Sequence, residues 1–155
     1  MKRHTNQLYF LFDNDNAGQQ ATLRALKLCY QQDVFPKVIS LPHEIAGTPI
    51  KDVDDLANYT LRADGESMSH STAPNATFQQ VLDEAQDGFL VIFERLRAAS
   101  DMNSPIDKQK LINTLFELIL SVQNLTIQEH YKMLLAEKLG FAFEILDAQF
   151  KRFKV

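Results

Sequence analysis

The chain has 155 residues and one cysteine, Cys29, so no intrachain disulfide can form. That usage fits a reducing compartment. Cys29 falls in a helical pattern and reads as a small core or boundary residue. Its four histidines (His4, His43, His70 and His130) are scattered, and with a single cysteine they make no zinc spacing. No apolar run reaches membrane-spanning length. No signal-type cleavage pattern follows the first residues, so the cytoplasm is the expected compartment and no membrane partner is expected. A long basic tract is also missing, and the formal net charge is −4. That excludes a free-standing, unspecific DNA binder but not an enzyme that touches nucleic acid locally. No internal repeat is present.

What is present begins with the run Leu8-Tyr9-Phe10-Leu11-Phe12-Asp13-Asn14-Asp15-Asn16-Ala17-Gly18. A short apolar strand ends in two aspartates one residue apart, and a helix-forming stretch follows. Side chains two apart on an extended segment point the same way. Asp13 and Asp15 therefore present two carboxylates at the carboxyl end of a strand, where parallel α/β sheets place ligands. Hard cations take such oxygen ligands and complete their shells with phosphate oxygens.

Residues 8–12 read as a buried strand and residues 17–31 as a helix with its small or apolar stripe at Ala17, Ala21, Ala25, Leu28 and Cys29. Residues 37–41 read as a second strand, stopped by Pro42. Strand, helix and strand with short connections predict a parallel βαβ unit. Residues 64–76 have linker composition. From residue 77 the pattern is all-helical. Thr77 with Gln80, Ser104 with Asp107, and Thr126 with Glu129 read as capping boxes at helix starts. Pro105 suits a first helical position, and Gly140 suits a helix end. One apolar stripe runs without a break from Phe78 through Ala85 and Phe89 to Leu96. Others run from Leu111 to Val122 and from Tyr131 to Leu139, with a last short helix at Ile145, Leu146, Phe150 and Phe153. Short loops imply an antiparallel bundle. Two parallel strands and one helix leave sheet faces and an edge open, so the α/β part reads as half of a larger sheet.

A second acidic group, Asp52, Asp54 and Asp55, follows the second strand through a loop and can return to the same edge as Asp13 and Asp15. Carboxylates gathered there repel unless cations lie between them. Two metals would activate an attacking hydroxyl and stabilise a leaving pyrophosphate. The plainer reading of each pair is an Asx-turn and a helix cap. An EF-hand loop also opens Asp-x-Asp, but Arg24 stands where it requires a bidentate Glu. A haloacid-dehalogenase-type phosphatase is the alternative enzyme reading, with Asp54-Asp55 as its later acidic pair.

The stretch Phe12-Asp-Asn-Asp-Asn-Ala-Gly-Gln-Gln-Ala-Thr-Leu-Arg-Ala-Leu26 resembles the Toprim segment of DnaG-type bacterial DNA primases, which show Phe-Asp-Gly-Asp-x-Ala-Gly. Leu41-Pro42 and Lys51-Asp-Val-Asp-Asp-Leu56 resemble that family's second acidic motif. Leu82-Asp-Glu-Ala85 and Tyr131-Lys-Met-Leu-Leu-Ala-Glu-Lys-Leu-Gly140 resemble its helical bundle. Asn14 replaces the usual Gly, and Val53 the usual Pro. The resemblance implies a partial Toprim (Rossmann-like βαβ) unit over 1–63, a linker at 64–76 and an antiparallel helical bundle at 77–155, together an α/β plus all-α fold. It implies that Asp13, Asp15, Asp52 and Asp54 bind Mg²⁺ or Mn²⁺, with Asp13 and Asp15 as the catalytic pair. The implied activity is synthesis of short RNA primers from ribonucleoside triphosphates on a single-stranded DNA template, with the replicative helicase as partner of the full-length family. The family's first acidic strand, template-binding subdomain, zinc-binding domain and helicase-interacting domain are expected to be missing here, so zinc is not expected in this chain and activity alone is not expected. The rival reading is a non-catalytic helical interaction module of the replication machinery.

Overall fold

A computed structural model describes residues 7–11, 16–39, 44–45, 48–49, 54–55, 79 and 82–154. Strand β1 (Tyr9–Leu11), helix α1 (Asn16–Tyr30) and strand β2 (Lys37–Ile39) form the expected parallel unit. Tyr9 stands opposite Lys37 and Leu11 opposite Ile39. At the end of α1 the amide of Val34 donates to the Cys29 carbonyl (3.0 Å), and Asp33 takes a left-handed φ of 53°. Aspartate tolerates that conformation better than most residues. Strands β3 (Glu44–Ile45) and β4 (Thr48–Pro49) make a small antiparallel pair.

The buried face of α1 is not the predicted one. Thr22, Leu23, Leu26 and Tyr30 are buried, whereas Leu28 is 65% exposed and Ala21 is exposed. The bulky side chains win the core because burying one removes far more apolar area from water than burying an alanine. Cys29 is half-buried at the boundary. Thr22 is satisfied within the helix, its hydroxyl donating to the Gly18 carbonyl at 2.7 Å.

A second correction concerns the stripe running from Phe78 to Leu96. It is broken by strand β5 (Gln86–Asp87), which pairs antiparallel with β2, Asp87 opposite Lys37. The sheet order is β1-β2-β5, so the outer edge of β2 is covered from beyond the predicted linker. Asp87 then caps helix α2 (Gly88–Ala98), Oδ1 accepting from the amides of Phe89 (2.8 Å) and Leu90 (3.4 Å). An aspartate cap followed by glycine interrupts a helical apolar pattern without disturbing its period.

Helix α3 (Pro105–Ser121) starts as expected, with Ser104 as cap and Pro105 at the first position. Helix α4 (Leu125–Leu139) is capped by Asn124 rather than Thr126, Asn124 Oδ1 accepting from the amides of Thr126 (2.9 Å) and Ile127 (3.3 Å). Gly140 closes it at φ 70°, as its position implied. Helix α5 (Phe143–Phe153) completes the order. The Thr77–Gln80 pair and residues 64–76 lie outside the described residues.

One core joins the parts. Leu23, Leu26 and Tyr30 of α1 share a buried cluster with Phe89, Ile92 and Phe93 of α2, with Leu115, Phe116 and Leu118 of α3, and with Tyr131 and Leu135 of α4. From α5, Leu146 and Phe150 close the bottom of the same cluster. Among the described residues no helix is long and apolar enough to cross a membrane.

Candidate metal centre

β1 ends at Leu11 and α1 opens at Asn16, so the first acidic pair falls between a strand's carboxyl end and a helix N-terminus. β2 runs beside β1 in the same direction, with Ile39 level with Leu11. β1 and β2 thus end at the same sheet edge in neighbouring strands about 4.8 Å apart, and in the sequence one acidic stretch follows each strand. The exposed partial positive charge at the start of α1 favours anions there.

Asp54 is exposed and Asp55 half-buried in a short helical turn. Asp13, Asp15 and Asp52 lie outside the described residues. Among the described residues no group of three or more His, Cys, Asp or Glu side chains stands ready to hold a metal ion. The donor set fits Mg²⁺ or Mn²⁺ in kind, since all four candidates supply hard carboxylate oxygens. The parallel register ends β1 and β2 level with one another, upstream of the two acidic stretches in the chain.

At the opposite end of the βαβ unit, around the start of β2 and the end of α1, lies a polar cluster that sequence reasoning missed. Tyr131 of α4 is 4% exposed. Its hydroxyl donates to Asp87 Oδ2 at 3.1 Å, while Asp87 Oδ1 caps α2. The Tyr131 ring stacks on Phe89 (4.4 Å between centroids) and on Tyr30 at the end of α1 (5.8 Å). Phe35, in the turn that leads into β2, tilts against Tyr30 at 5.4 Å. Burial pushes both phenols well above their ordinary value, and the nearby Asp87 carboxylate adds to the effect. Both therefore stay protonated at neutral pH. The sequence pattern places Tyr131 only in an apolar stripe, and its partner is 44 positions away in the chain. The aspartate directly before Gly88 was the available signal.

A second cluster pins α4 to α5. The Lys132 amine lies 2.5 Å from Asp147 Oδ1 and 2.6 Å from Glu129 Oε1, above the rings of Phe150 (5.2 Å) and Phe143 (5.7 Å). Lys151 holds the other Asp147 oxygen at 2.7 Å. The Lys132 amine and both Asp147 oxygens are paired within these two helices, which marks the cluster as structural.

Residues 1–57 match the Toprim-like family, and residues 91–144 match the family described as the DnaB-helicase binding domain of primase. The second match departs from the expectation that no helicase-interacting part lies within the chain. The DNA primase of Borreliella burgdorferi is 24% identical over 154 residues, covering 99% of this chain and 26% of that protein. The DNA primase of Legionella pneumophila is 29% identical over 140 residues, covering 90% of this chain and 21% of that protein. The chain thus spans about a quarter or less of the length of these relatives. The E. coli primase catalytic core superposes with a TM-score of 0.63 at 21% identity, over 89% of this chain and 39% of that one. A DNA primase domain from Pseudomonas aeruginosa gives 0.62 at 22% identity, over 93% and 40%. A DnaG primase catalytic domain bound to single-stranded DNA gives 0.60 at 21% identity, over 88% and 38%. At these identities the likeness is one of fold, and it runs through the βαβ unit and the helices in a single alignment. Residues 1–57 are thus similar to Toprim-like domains and residues 91–144 to the DnaB-helicase binding domain of primase, and the chain shares the fold of part of the DNA primase catalytic core.

Proposed function

We propose that this chain supplies the metal-binding acidic residues and the adjoining helices of a primase core that makes short RNA primers on single-stranded DNA from ribonucleoside triphosphates. The observation that supports the reading is the parallel β1–α1–β2 unit, whose two strands end level at one sheet edge and precede the two acidic stretches in the sequence. Asp13, Asp15, Asp52 and Asp54 would hold Mg²⁺ or Mn²⁺, with Asp13 and Asp15 nearest the chemistry. A bound divalent ion would supply charge neutralisation for the triphosphate and a more acidic 3′-hydroxyl. The carboxylates orient the ions, and α1 offers its positive end to phosphate. Positioning and charge stabilisation then carry most of the rate. With a net charge of −4, the chain by itself has little electrostatic attraction for template, and priming requires a basic surface from elsewhere in the enzyme. Its place of action is the cytoplasm.

Titration with Mn²⁺, followed by electron paramagnetic resonance of the free ion, tests the reading. The wild-type chain is expected to deplete free Mn²⁺, and Asp13→Asn and Asp15→Asn to lose at least tenfold in affinity. A wild-type chain that leaves Mn²⁺ free at millimolar concentration refutes the proposal.

The match over 91–144 favours a second role in the same enzyme, contact with a DnaB-type replicative helicase. Within that range Leu125 and Met133 are 70% and 60% exposed. Leu125→Asp with Met133→Asp is expected to weaken co-elution with such a helicase. Unchanged co-elution argues against this surface.

A further inference from the structure

We draw no further inference here: the strongest candidate, the exposed apolar patch at Ala21 and Leu28 on the outer face of α1, carries nothing, because nothing in the structure shows what covers it.

Discussion

Gly88 and Leu26 are in such close contact that a Cβ on Gly88 would stand 2.5 Å from Leu26 Cδ2, and 3.1 Å from the Pro36 carbonyl oxygen. Leu26 is fully buried, so its methyl has nowhere to retreat, and the carbonyl belongs to the backbone that enters β2. Gly88→Ala is therefore expected to destabilise the chain by about 1–3 kcal/mol through overpacking, despite alanine's better helix propensity. Urea denaturation measures it; a midpoint at or above wild type would show that α2 can shift away from α1 without loss.

The start of α4 separates two candidate caps. Asn124 Oδ1 accepts two amide protons, whereas Thr126 lies inside the first turn and is exposed. Asn124→Ala should cost about 1 kcal/mol, and Thr126→Ala less than about 0.5 kcal/mol. The reverse order in thermal denaturation would restore Thr126 and Glu129 as the capping pair.

These two positions show where local signals suffice. Ser104-Pro105 and Gly140 carry their meaning within one turn of helix, and the structure uses them as such. The βαβ unit was also legible, because strand, helix and strand follow directly in the chain. β5 was not: its two residues are strand-like only through pairing with β2, and the apolar period runs on across them. The buried face of α1 was misread because alanines and Cys29 make a regular stripe beside the larger Leu23, Leu26 and Tyr30, and only the packed core decides between them. At the candidate site, the motif Asp-x-Asp after a strand was readable from spacing. The Tyr131–Asp87 bond was not, since it joins residues 44 positions apart and the cap signal at Asp87 does not name Tyr131 as its partner.

Tyr30 is fully buried, and its hydroxyl has no hydrogen-bond partner among the described residues. An unsatisfied buried hydroxyl carries a desolvation penalty that phenylalanine avoids. Tyr30→Phe is expected to leave stability unchanged or raise it by up to about 1 kcal/mol, with the stacks on Tyr131 and Phe35 intact. A loss greater than about 1 kcal/mol in urea denaturation would show that the hydroxyl is bonded, with Tyr131 as the adjacent candidate.

Lys132 sets the pH dependence expected of the α4–α5 contact. Burial opposes its charge, but hydrogen bonds to Asp147 and Glu129 outweigh burial and raise its pKa above the ordinary value of 10.5. The hydrogen bonds from Lys132 and then Lys151 hold Asp147 below its ordinary value of 3.8. A raised lysine stabilises the fold fully below its unfolded value, and that stabilisation is lost as pH rises through the folded one. A depressed aspartate stabilises above its unfolded value, and the contribution is lost as pH falls through the folded one. The contact is therefore at full strength across the neutral range and fails at both extremes. Lys132→Met keeps the apolar stem over Phe143 and Phe150 but removes the charge. It should cost about 1–3 kcal/mol at pH 7, less than a fully buried broken pair because Asp147 retains Lys151. The loss should shrink toward strongly acid and strongly alkaline pH, where the wild-type contact is itself weakened. Urea denaturation of both proteins across that range checks it, and a gap of constant size at every pH would mean that Lys132 acts by packing alone.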